Sequence, residues 1–147
     1  MFAPNPTDAT SFYRAVGPLQ DLKRKMGFIL QIGSDVNWAT LKGTDAVFMQ
    51  RPFTKNHVQI LEMAQANGKK VWVDYDDDLF SVPRSNRTFR LYGDAKNQNN
   101  IAQIVAKADV ITVSTPQLQR VLGEVIGRVK AAAPDYEGLK LEASKIS

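Results

Sequence analysis

Cysteine is absent from this chain, and histidine occurs once, at His57. Without thiols there is no disulfide and no thiolate metal centre. A single imidazole leaves little room for a serine or cysteine triad built on histidine, and at the start of a helix His57 reads as a surface or capping side chain. No apolar run approaches the ~20 residues that span a bilayer. The opening residues Met1-Phe2-Ala3-Pro4-Asn5-Pro6 lack the basic and apolar regions of a secretion signal. These absences lead us to expect a soluble, cytoplasmic protein. Neither G-x-G-x-x-G nor G-x-x-x-x-G-K-[ST] occurs, which disfavours a dinucleotide or P-loop site. No internal repeat or low-complexity tract is visible.

What is present is ordinary globular composition: 147 residues, 44% hydrophobic and 23% charged, enough for one domain with a sizeable core. The net charge of +4, from 19 basic and 15 acidic residues, is mild. It concentrates locally at Lys23-Arg24-Lys25 and at Arg84, Arg87 and Arg90. Neither group has the density of a nucleic-acid arm, and no nucleic-acid motif accompanies them. Anionic small molecules, nucleotide diphosphates among them, remain compatible with this charge.

Along the chain, Thr10 or Ser11 is placed to cap a short helix, Gly17-Pro18 to interrupt it, and Pro18 to start a second helix with Leu19, Leu22 and Met26 at helical spacing. Phe28–Ile32 then reads as a strand. A short helix over Val36–Leu41 leads to a second strand, Asp45–Gln50. Thr54 caps a helix carrying Val58, Leu61 and Ala64, stopped by Asn67-Gly68. Val71–Val73 is a third strand, and Ser81–Asn100 is polar and irregular. A helical stripe over Ile101, Ile104, Val105 and Ala108 precedes a fourth strand, Asp109–Val113. Ser114-Thr115-Pro116 combines a cap with proline at the first helical position, the strongest start signal in the chain. Beyond Ala131 the pattern fades, so the expected domain is 1–131 with a weakly anchored tail over 132–147. The alternation of strands and helices predicts a single α/β domain with a parallel sheet, right-handed crossovers and helices on both faces.

The stretch Val71-Trp72-Val73-Asp74-Tyr75-Asp76-Asp77-Asp78 organises the chain. Its carboxylates fall at a strand's C-terminal end, the edge where ligand crevices form in open parallel sheets. Such crowding is unfavourable unless cations, donors or water meet it. It reads either as a solvated, helix-capping turn or as a ligand-facing loop. The other strand ends add Gly33-Ser34-Asp35, Arg51-Pro52 and Ser114-Thr115, so Arg51, Asp74, Asp76, Asp77, Ser114 and Thr115 are candidate ligand-binding residues. For Arg51 the alternative is an ion pair with the acidic loop, and for Ser114 and Thr115 it is helix capping. Asp74-Tyr75-Asp76 matches D-x-D, whose oxygen-only ligation would suit magnesium or manganese. Any acidic loop yields that match by chance. We expect no tightly bound metal and no cofactor, with Asp76 to Asp78 accepting hydrogen bonds from backbone amides or from Arg84 and Arg87.

Two separated runs, Lys70 to Pro83 and Ala108-Asp109-Val110-Ile111-Thr112-Val113-Ser114-Thr115-Pro116-Gln117-Leu118, resemble the N-terminal half of GT-B glycosyltransferases of the group 1 type in bacterial and phage versions. Tyr13-Arg14 with Gly17-Pro18-Leu19, and Gln50-Arg51-Pro52, are similar to that group's early landmarks, which adds Arg14 and Gly17 to the candidate ligand-binding residues. The match covers most of Ala3 to Leu122. It implies a Rossmann-like, acceptor-side half-domain that is incomplete as a catalyst without a donor-binding half, with a nucleotide sugar and an acceptor as partners once that half is present. Only Met1-Phe2-Ala3 corresponds to the strand such enzymes place before the Tyr-Arg segment. The other function class is a non-catalytic binding or structural module derived from the same half, for instance in a phage particle, with a protein partner or a second copy. No catalytic residue is assigned.

Overall fold

Three of the four expected strands form, and all run parallel. In the computed structural model, which describes residues 8–33, 36 and 38–132, β1 is Ala46–Gln50, β2 Lys70–Tyr75 and β3 Val110–Val113. They lie in the order β1-β2-β3. Met49 sits beside Val73 and Gln50 beside Asp74, and Asp74 in turn sits beside Thr112. Helix α4 (Lys55–Ala66) connects β1 to β2, while α5 (Phe89–Tyr92) and α6 (Ala95–Lys107) lie between β2 and β3. Helix α7 (Pro116–Ala132) follows β3. Consecutive strand order with crossovers of one hand puts every connecting helix on the same face of the sheet. Accordingly α4 packs on α6 and α6 on α7.

The strand period of two divides the side chains between two faces. Val47, Met49, Val71, Val73 and Tyr75 point into the main core with Leu61, Ile104 and Leu122 of the crossover helices. Phe48 and Trp72 point the other way, against Ala15, Leu19 and Leu30. The second face is covered by the N-terminal segment: α1 (Ala9–Ser11), a π-helical turn over Phe12–Val16, and α2 (Gly17–Met26). Helices therefore flank both faces, as the α/β reading expects.

Gly17-Pro18 does not interrupt this segment. Pro18 has no N–H to give, and its ring would strike the carbonyl four residues back in an α-helix. The wider π turn just before it, with the Gly17 N–H donating to the Phe12 carbonyl, accommodates the ring. The cap is also displaced from its expected position. Asp8, not Thr10 or Ser11, accepts the Ser11 N–H at 2.6 Å. Phe28–Ile32 is not a strand of the sheet. Ile29 and Ile32 are exposed there and only Leu30 packs against the core beneath Phe48, so too little of the run is buried to fix a strand register. The short helix expected over Val36–Leu41 appears as α3 (Trp38–Lys42).

The start of β2 is pinned at the far edge from the acidic loop. Asp109 accepts the Val71 N–H at 2.9 Å and the Lys70 ammonium at 3.0 Å. Together with the Gln65 amide these donors outweigh the cost of its burial and hold its carboxyl below the usual range. Residues 133–147, where the tail was expected, lie outside the described residues, as do Met1-Phe2-Ala3 and Ser34-Asp35.

Candidate functional site

The acidic stretch does fall at the C-terminal end of β2, and its carboxylates have separate partners. Asp74 is the last-but-one residue of the strand and points to the face covered by the N-terminal segment. It is only 3% exposed. Arg14, carried on the π turn, meets it with Nε at 2.8 Å and Nη2 at 2.6 Å. Thr112 Oγ1, the registered neighbour on β3, donates to Asp74 at 2.7 Å and itself accepts the Trp72 indole N–H at 3.1 Å. The Asp74 hydrogen bond raises the Arg14 pKa against the opposing effect of burial. Beside this pair, Ser11 Oγ donates to the buried Gln50 Oε1 at 2.6 Å. One face of the strand ends is thus closed by a chain of satisfied polar groups.

Arg51 and Asp76 form the second pair. Arg51 follows β1 with φ 48°, and it is the one non-glycine residue with positive φ among the described residues. Its N–H is held by the Asp74 carbonyl at 2.8 Å. This turn aims the guanidinium at Asp76, with Nε at 2.9 Å and Nη2 at 2.5 Å. Burial lowers the Arg51 pKa, but hydrogen bonding to Asp76, that carboxylate's charge and Tyr92 outweigh it, so the pKa is raised. Asp77 stands 3.6 Å from the same guanidinium with a side chain 70% exposed. Asp78 accepts the Phe80 N–H at 2.9 Å, as expected of a backbone-capped turn. Among the described residues neither Arg84 nor Arg87 pairs with these carboxylates. The cation that meets Asp76 comes from the neighbouring strand end instead.

Two shallow clefts open at this edge. The larger, of about 360 Å³, is lined by Arg51, Asp77, Ser81, Asn86, Thr88 and Tyr92 among others. The smaller, of about 220 Å³, lies between Asp76 to Asp78 and the start of α7, with Ser114, Thr115 and Gln117. Ser114 Oγ donates to the Asp76 carbonyl at 2.6 Å, and Thr115 Oγ1 caps α7 by accepting the Leu118 N–H at 3.1 Å. Thr115 thus caps the helix, Ser114 ties its start to the acidic loop, and both line a cleft wall.

Of the eight expected residues, Arg51, Asp76, Asp77, Ser114 and Thr115 line or border the clefts. Arg14 and Asp74 are joined to each other beneath the edge. Gly17 lies in α2, where an added Cβ would come within 3.1 Å of the Phe12 carbonyl. Its small size suits the π turn and does not face either cleft. Sequence reasoning missed Gln50, Thr112 and Tyr92. The first two were readable from strand register once Asp74 was placed. Tyr92 lies in a stretch read as irregular.

His57 caps α4 and is buried, not a surface group. Its Nδ1 accepts the Phe53 and Thr54 N–H groups at 2.9 Å each, while its own N–H is capped by Thr54 Oγ1. Burial pushes its pKa down to about 4. Among the described residues no group of three or more His, Cys, Asp or Glu side chains is placed to hold a metal ion. No helix among them is long and apolar enough to cross a membrane. No protein-family model, no curated protein and no solved structure matches this chain.

Proposed function

We propose that this chain is a glycosyltransferase-like, acceptor-side half-domain that holds a polyhydroxylated acceptor and transfers nothing without a donor-binding half. One observation carries the reading. The larger cleft combines Ser81, Asn86, Thr88 and Tyr92 with a guanidinium whose charge is already matched by Asp76. Hydroxyl and amide groups beside a neutralised cation suit the donors and acceptors of a sugar better than a free phosphate. Transfer also needs the donor's diphosphate held and its leaving charge stabilised in a site shielded from water. A shallow wall leaves such charges in high dielectric, where stabilisation is weak. The complementary wall would come from elsewhere in the protein or from a partner. A cytoplasmic location belongs to the same reading.

A second reading is favoured by the pairing itself. Asp74 and Asp76 are both committed to arginines, as they would be in a non-catalytic binding or structural module descended from such a half. Titrating the chain with a panel of mono- and oligosaccharides by NMR, beside a nucleotide-sugar turnover assay, separates the two. We expect saturable saccharide shifts at Thr88 and Tyr92 and no release of nucleoside diphosphate. Turnover by the chain alone would overturn the half-domain reading. Absence of any saccharide shift would favour the second.

A further inference from the structure

The C-terminal turn of α2 carries a feature separate from the residues that line the clefts. Leu19 is the last side chain of α2 in the core beneath Phe48 and Trp72. Leu22 and Met26, four residues apart on one helix face, are 36% and 71% exposed. Gly27 turns the chain with φ 75°, and Ile29 follows at 89% exposure. Lys23, Arg24 and Lys25 share this turn, with Asp21 pairing to the last two at 3.5 and 2.7 Å. Three basic residues against one carboxylate leave the patch cationic.

We propose that this tip is a docking surface for an anionic lipid bilayer, with Met26 and Ile29 entering the acyl boundary and the basic run meeting the headgroups. Apolar side chains this exposed are unfavourable in water and rewarded in that boundary, while adjacent lysines and arginines are attracted to its negative potential. Nucleic acid would use the cations but not Met26 and Ile29, the most exposed apolar side chains, which offer no ring for a base to stack on, and the ring between them, Phe28, is partly buried. The proposal does not depend on the glycosyltransferase-like reading.

The test is co-sedimentation of the full chain with vesicles of phosphatidylcholine alone and of phosphatidylcholine mixed with phosphatidylglycerol. We expect binding to the anionic vesicles only, weakened severalfold by high salt. Ile29→Ser and Met26→Ser should each weaken it roughly tenfold, and Lys23→Glu by roughly tenfold or more, with circular dichroism unchanged because all three side chains are exposed. No sedimentation with the anionic vesicles overturns the proposal. So does equal binding to both vesicle types, or RNA-oligonucleotide binding without vesicle binding. Self-association without lipid that Met26→Ser abolishes would also overturn it, assigning the tip to a second copy.

Discussion

Arg14 precedes Asp74 by sixty residues, yet its guanidinium reaches both oxygens of that carboxylate, at 2.8 and 2.6 Å. The pair ties the N-terminal segment to the end of β2. The apolar contact beneath it is small, with Ala15 and Leu19 its buried side chains from the segment. A fully buried leucine contributes roughly 2 kcal/mol, so the polar clamp is comparable to the packing it accompanies. Removing one partner would leave the other charge poorly matched, and Asp74 is the more deeply buried of the two.

Arg14→Ala should therefore destabilise the chain by about 3 kcal/mol, read as a lower denaturant midpoint. Asp74→Asn in the same background should cost little more, because the uncompensated charge is then gone. Additive costs in this double-mutant cycle would show that the two side chains are not coupled.

Arg51 combines a strained backbone with a bidentate ion pair, and the two can be separated. An L-residue in the left-handed region costs on the order of 1 kcal/mol, which glycine does not incur. Arg51→Ala should lose the Asp76 pair and keep the strain, while Arg51→Gly loses the pair and relieves it. We expect the glycine variant to be the more stable by about 1 kcal/mol, measured by thermal or urea unfolding. The opposite order would mean that the φ of 48° imposes no penalty.

Much of this was legible in sequence where a local signal coincided with burial. Ser114-Thr115-Pro116 starts α7 as its cap chemistry demands, and Val71 to Val73 sit inside a central strand with two neighbours. The run Phe28–Ile32 carried the same apolar composition as a strand, but only its Leu30 packs against a core. Composition alone could not reveal that. The acidic loop was legible as a cluster needing cations. Which cations was not, because the choice of Arg51 over Arg84 and Arg87 depends on β1 ending beside β2. The Gly17-Pro18 pair misled for a subtler reason: both breaker residues are satisfied by a π turn, which no residue type signals.

His57 should give the fold a distinct pH response. Nδ1 must stay unprotonated to accept the Phe53 and Thr54 N–H groups, and burial holds the native pKa near 4 against an ordinary value of about 6.5. Below the ordinary value the unfolded chain binds a proton that the native chain refuses, so stability falls as pH falls. The loss should reach about 2 kcal/mol by about pH 5 and level off below about pH 4. Asp109 and Glu62 have carboxyls held below their ordinary values, so their contributions disappear only at lower pH. His57→Gln, which retains a side-chain acceptor at the capping-box position, should abolish the slope between about pH 7 and pH 5. A persistent slope in that variant would assign the effect to another group.

The last prediction separates the neighbouring carboxylates of the acidic loop. Asp76 receives both Arg51 bonds and its side chain is only 17% exposed, so Asp76→Asn removes a charge from a half-buried pair and should cost about 2 kcal/mol of stability. Asp77 makes only the longer 3.6 Å approach to Arg51 and lines both clefts. An exposed substitution of this kind usually stays within about 0.5 kcal/mol, so Asp77→Asn should unfold at the wild-type midpoint. If the clefts hold a saccharide, Asp77 is free to accept its hydroxyl protons, and a hydrogen bond to a charged group contributes about 1.5–3 kcal/mol. Asp77→Asn should then weaken saccharide binding by roughly tenfold or more in the NMR titration while leaving the fold untouched. Destabilisation by Asp77→Asn equal to that of Asp76→Asn would place both carboxylates in the structural turn and remove Asp77 from the binding surface.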